Sequence, residues 1–200
     1  MSDDGPSGVY RLKVSLRRIS PMIWRRLLVS EEMTLFGLHR AIQIAFGWED
    51  YHLHAFKLHG RHYGTTRTGE RHRDGVGKEV TLTDLQLRVR QCIRHEYDFG
   101  DLWEHEIRVE AKLEREADKV YPICIAGARA GPPEDIGGPR GYDVLLHRFR
   151  FGDIDALLRR DEELRGDNYG GRFSDDYDGR WVRPSGPVVG RGGAPTGERV

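Results

Sequence analysis

The chain is poor in sulfur, in net charge and in long apolar runs. Only two cysteines occur among 200 residues, Cys92 and Cys124. They are too few for a disulfide framework and are not spaced as a C-x-x-C motif, so reduced thiols are expected. Cys124 lies between Ile123 and Ile125, which predicts a packed, inert thiol rather than a nucleophile. Formal charge is zero, with 32 Lys plus Arg against 32 Asp plus Glu, which removes the whole-domain electrostatic footprint of a nucleic-acid binder. No apolar run approaches the roughly 20 residues that span a bilayer. The opening M-S-D-D-G-P-S-G is acidic rather than a basic segment followed by an apolar one, so a cytoplasmic protein with no membrane partner is expected. H-E-x-x-H, Walker A, G-x-S-x-G and dinucleotide fingerprints are all missing, which leaves no motif-level case for a zincin, a P-loop enzyme, a serine hydrolase or a dehydrogenase.

What is present is enough for one folded domain. Hydrophobic residues make up 38% and charged residues 32%, a balance that supports a core with a well-solvated surface. The reading is a flexible N-terminus over 1–8, a domain over 9–182 and a disordered tail over 183–200, where Gly, Pro and Arg replace apolar residues. The charge balance is local: residues 1–100 carry +4 and residues 101–200 carry −4.

Periodicity supplies the elements. Tyr10, Leu12, Val14 and Leu16 alternate with polar residues, as do Ile23, Arg25, Leu27 and Val29, predicting two strands of a hairpin. From Thr34 the period changes to that of a helix, with Leu35, Leu38, His39, Ile42, Ala45 and Phe46 on one side, Thr34 as N-cap and Gly47 just past the end. A strand through His52, His54, Phe56 and Leu58 turns at Gly60, and 65–77 reads as an exposed loop. Strands over 91–98 and 102–110 join through Phe99-Gly100-Asp101, with Gly100 free to take positive φ. Pro122 to Gly141 is too rich in Pro and Gly for a regular element and reads as a long loop. Tyr142, Leu145, Leu146 and Phe149 then mark a helix, and Ile154, Leu157 and Leu158 another. The order predicts an α+β fold, a mainly antiparallel sheet with helices packed on one face of a single domain.

Five ordered motifs carry a family resemblance. They are Y-R-L-K-V-S-L with P-M-I-W-R-R-L, then L-H-R-A-I-Q-I-A-F-G-W, H-L-H-A-F, Y-D-F-G-D-L-W-E-H, and Y-P-I-C-I-A-G with P-P-E-D-I-G-G-P-R-G-Y. Together they resemble the Ri-plasmid open-reading-frame-three family, also described as an insertion-element passenger family, over Val9 to Phe149. The resemblance implies a compact α+β domain carried on plasmids, transposon cargo and bacterial chromosomes, with no established reaction. The chain departs from the family pattern at Gly131 and Ile136, where many relatives carry cysteine, so a thiolate metal site is incomplete here.

The richest stretch runs from Tyr97 to Tyr142. On a strand, Trp103, His105, Ile107 and Val109 share a face, so His105 points with the apolar set, opposite a neighbouring strand that offers His95. It is read as a buried histidine first and as a general base second. Asp98 and Asp101 flank a tight turn, and Pro132-Pro133 stiffen the chain before Glu134 and Asp135. Folded together, these carboxylates would form an oxygen-rich site for Mg²⁺ or Mn²⁺ able to activate water; apart, they would serve as turn and helix caps. His52 and His54, two apart on a strand, form a weak H-x-H pair. For macromolecular binding, Trp24 with Arg25 and Arg26, joined by Arg17 and Arg18, would give charge and stacking on the first hairpin. The loop ending at Tyr142, packed on the hairpin of Tyr97 and Trp103, is the other candidate surface. The expectation is a binding or accessory module for nucleic acid or a mobile-element protein, with a metal-dependent hydrolase or nuclease as the rival.

Overall fold

The computed structural model describes residues 8–70 and 79–151. The first two predicted strands form as β1 (Val9–Leu16) and β2 (Trp24–Ser30), paired antiparallel, with Tyr10, Leu12, Val14 and Leu16 all buried. Helix α1 (Leu35–Phe46) follows, capped as its sequence implies. The Thr34 hydroxyl accepts the Gly37 N–H, and Gly47 closes the helix at φ 80°. Strands β3 (His54–Leu58), β4 (Arg61–Gly64), β5 (Cys92–Tyr97), β6 (Trp103–Leu113) and β7 (Ile123–Ala128) complete one open seven-stranded sheet, in the order β4-β3-β5-β6-β1-β2-β7. Every pairing among them is antiparallel. Helix α2 (Gly138–Phe151) is the last element among the described residues.

Register places the interior side chains in rows across strands, because directly opposed residues share a face. One row reads Phe56, His95, His105, Leu16, and the next His54, Tyr97, Trp103. Helix α1 lies against these rows: Phe46 meets the His105 ring edge-on at 4.8 Å, and His39 meets His95. Arg25 points to the same side, its guanidinium 5.0 Å from the Phe46 ring and its Nε donating to Ala45 O at 2.7 Å. Tyr142 of α2 is buried in the same apolar cluster, with Leu145 and Leu146 half-buried against it. The alternate residues of the sheet are charged and cross-paired. Glu104 holds Arg17 and Arg18, while Glu110, the extra residue of a bulge in β6, holds Arg26 and Arg11.

Several expectations need correction. Ile123–Ala128 is an edge strand rather than loop, because β2 offers a free edge and an edge strand needs hydrogen bonds on one side only. A bulge that leaves Ile125 unopposed lets the Gly-containing segment follow β2. At the β5–β6 turn Gly100 is not in the left-handed region; Asp98 (φ 52°) and Leu102 (φ 56°) are. The predicted helix at Ile154–Leu158, the tail over 183–200 and most of the N-terminal segment over 1–8 lie outside the described residues.

Candidate metal centre

Three segments meet at the end of the sheet where β5 turns into β6. The chain leaving α1 brings Glu49, Asp50 and His52; the turn brings Asp98; the segment before α2 brings Glu134 and Asp135. Tight backbone contacts hold that last segment in place. Trp48 Nε1 donates to Pro132 O at 2.7 Å, and a Cβ at Gly131 would lie 2.1 Å from Phe46 O. Likewise a Cβ at Gly138 would lie 2.0 Å from Asp101 O, so glycine is required where these strands of chain cross.

On this frame His52 Nε2 lies 2.9 Å from Asp135 Oδ1 and 3.7 Å from Asp98 Oδ2, and one ligand atom from each residue falls within 4.8 Å of the others. Ligand atoms about 2.1 Å from one ion stand roughly 3.0–3.4 Å apart in octahedral or tetrahedral geometry, so this spacing suits a shared cation after small rotations. Asp98 divides its labour: Oδ1 accepts the Gly100 N–H at 2.9 Å, which leaves Oδ2 toward His52. Exposure falls from Asp135 (43% of the side chain) through His52 (32%) to Asp98 (10%), so the cluster opens outward from a buried carboxylate. Asp50, Asp98 and Asp135 all have positive φ, a conformation Asp tolerates better than most residues and one often found at functional sites.

Behind this cluster lies a line of imidazoles. His39 Nε2 meets Asp50 Oδ1 at 2.5 Å, His39 Nδ1 meets His95 Nε2 at 3.0 Å, and His95 Nδ1 meets His105 Nδ1 at 3.2 Å. His39, His95 and His105 are fully buried. Although the His39–Asp50 contact has ion-pair geometry, burial outweighs the carboxylate and lowers the His39 pKa, so the contact is a neutral N–H donating to Asp50. Burial, then the charges of the other imidazoles, holds His95 well below the ordinary histidine value, and burial pushes His105 down to about 3. One assignment satisfies the line: protons on His39 Nε2, His95 Nε2 and His105 Nδ1, each donating toward Asp50. His105 Nε2 is then a buried acceptor without a partner.

Sequence pattern and fold coincide with known proteins. The pattern defining the family described as plasmid pRiA4b ORF-3-like protein matches residues 8–169. The chain belongs to this plasmid pRiA4b ORF-3-like family. A relative, the uncharacterized protein y4hQ of Sinorhizobium fredii (strain NBRC 101917 / NGR234), is 34% identical over 139 residues, covering 68% of this chain and 70% of its own. A crystal structure of a protein of unknown function, MM3350 from Methanosarcina mazei Go1, is 35% identical with TM-score 0.71, covering 90% of this chain and 96% of that one. Family membership therefore brings a fold and no reaction.

In this member of the plasmid pRiA4b ORF-3-like family, the sequence-predicted residues divide sharply. Asp98 and Asp135 converge, joined by His52. Glu134 is engaged in structure, Oε1 accepting from Tyr97 Oη at 2.5 Å and Oε2 from the Glu49 N–H at 2.7 Å. Asp101 Oδ2 accepts the Gly137 N–H at 3.0 Å. His105 is deep in the imidazole line, set against His95, Phe46 and Trp48 rather than against the four carboxylates. Of the binding candidates, Arg25, Tyr97, Trp103 and Tyr142 are buried and pack rather than present a surface. Trp24 and Arg26 are half-buried, and Arg26 is held bidentately by Glu110 at 2.6 and 2.9 Å. His52 and His54 do not share a site, because β3 starts only at His54. Sequence reasoning missed Asp50 altogether. Its signal was the placement of His39, His95 and His105 on three apolar faces at once, which asks for an acceptor at the end of the line.

Proposed function

We propose that the domain over 9–182 is a cytoplasmic accessory module of mobile elements that binds a divalent cation through His52, Asp98 and Asp135. The observation that carries this reading is the convergence of one imidazole and two carboxylates from three separate segments at a partly exposed position. With nitrogen among the donors, Mn²⁺ is the better fit of the two expected ions, since Mg²⁺ prefers oxygen ligands and its own waters. Both helices are taken to cover the face of the sheet that holds the histidine rows, leaving the charged face open. The first-hairpin arginines support nucleic-acid binding poorly, because Arg17, Arg18 and Arg26 already face glutamates.

Three protein ligands leave coordination positions for water, and this favours metal-assisted hydrolysis of phosphodiesters as the second reading. Thermal unfolding with and without Mn²⁺ tests the first reading. At 100 times Kd, a ligand specific for the folded state adds about 2.7 kcal/mol, and Asp98→Asn with Asp135→Asn should abolish that gain. An unchanged Mn²⁺ effect in the double variant rejects the site. Turnover of a generic phosphodiester that needs Mn²⁺ and is lost in the same variant would establish the hydrolase.

A further inference from the structure

The His52–Asp98–Asp135 cluster leaves the imidazole line unexplained, and that line ends at a second donor set. His39, Asp50 and His54 place one ligand atom each within 4.8 Å of the others. The His54 ring stacks on His39, centroids 3.5 Å apart and planes at 11°. Among the described residues the ring nitrogens of His54 make no hydrogen bond; only its backbone carbonyl does, to Thr65. His54 is half-buried, and its ring nitrogens are not among the buried unpartnered atoms, so they remain reachable from solvent and available to a ligand.

We propose that His39, Asp50 and His54 form a second, nitrogen-rich cation site, separate from His52–Asp98–Asp135, that takes a transition ion of the Zn²⁺ or Co²⁺ class. Two imidazoles and one carboxylate suit such ions better than Mg²⁺ or Ca²⁺. The site is supported from behind as metal-bound histidines usually are, by an acceptor on the far ring nitrogen. With an ion on His39 Nε2, that ring carries its proton on Nδ1 and donates it to His95 Nε2 at 3.0 Å, and His95 donates in turn to His105 Nδ1. Binding therefore reverses the tautomer of all three rings. Because stacked rings aim their lone pairs in parallel, His54 must turn out of the stack about its side-chain torsions. It has no hydrogen bond to lose in doing so, and the short His39–Asp50 contact opens to admit the ion.

Metal content of the chelator-stripped, full-length protein after equilibration with excess Co²⁺ and desalting tests this inference. Wild type should retain about two ions per chain, one in each donor set. His54→Ala and Asp50→Asn should each remove one of them while leaving the ion held by Asp98 and Asp135. A His54→Ala protein that keeps its fold by circular dichroism and retains as much Co²⁺ as wild type overturns the inner site. If instead Asp98→Asn with Asp135→Asn loses no metal, the outer reading fails and the inner one stands. Since His54→Ala can disturb packing, wild-type protein supplies an independent readout in ¹⁵N histidine spectra with Zn²⁺. Reversal of the His39, His95 and His105 tautomers supports the site, and spectra unchanged by saturating Zn²⁺ overturn it.

Discussion

Acidification from pH 7 to pH 5 is the perturbation to which this core should be most sensitive. His95 and His105 are fully buried and neutral in the fold, with His105 at about 3 and His95 also well below the ordinary value. In the unfolded chain each titrates near pKa ~6.5. Protons therefore bind the unfolded state first, so stability is complete above that value and falls as pH drops toward the folded pKa. His105 alone removes about 2 kcal/mol between pH 7 and pH 5, and His95 adds to the loss in the same direction, a large share of the roughly 5–15 kcal/mol typical of a domain. Carboxylates contribute little in this window. Glu31 and Glu110, held below the usual range by hydrogen bonds to Lys112 and Arg26, lose their contribution only at lower pH. Urea unfolding in the presence of chelator, repeated across this range, measures the slope. Replacing His105 with Phe keeps an aromatic ring against Phe46 and Trp48 and should lower the mean slope over this range by about 1 kcal/mol per pH unit. Stability that is flat from pH 7 to pH 5, or a variant slope equal to wild type, refutes the buried neutral line.

Three further outcomes follow from packing and charge. Trp103→Ala, which empties a fully buried position beside Trp48, should cost about 3–5 kcal/mol in chemical denaturation. In Gly141→Ala the new Cβ would stand 1.6 Å from Ile136 O. The segment before α2 should shift, costing more than ~2 kcal/mol and raising hydrogen exchange at Gly137 while β1 and β6 stay protected. Arg26→Ala should cost under ~1 kcal/mol despite its bidentate contact with Glu110, because the pair is solvent-accessible. Its effect on DNA affinity across a salt series should be negligible; a lost salt slope would revive the nucleic-acid reading.

Legibility in the sequence tracked the range of the interactions involved. The first hairpin and α1 were readable because alternation, the Thr34 cap and Gly47 are local signals that agree with burial. The inward direction of His105 followed from strand alternation alone. Strand β7 was hidden because its Ile-Cys-Ile-Ala-Gly-Ala run gains its pairing from β2, about 100 residues earlier in the chain, amid proline and glycine that argue for loop. At the β5–β6 turn the glycine signal marked the right place and the wrong residue, since the Asp98 side chain stabilises its own left-handed backbone. Asp98 and Asp135 stood out for their turn-forming neighbours. Asp50 did not, and His52 was paired with His54 rather than with the carboxylates, because only tertiary closure of the segment after Trp48 brings the two to their partners.

A cation held by His52, Asp98 and Asp135 should be visible in calorimetric titration of Mn²⁺ into chelator-stripped protein. A saturable binding event in wild type that disappears in Asp98→Asn with Asp135→Asn, with the variant still folded, is the predicted result. Equal binding in the two proteins, or none in wild type at millimolar Mn²⁺, contradicts it.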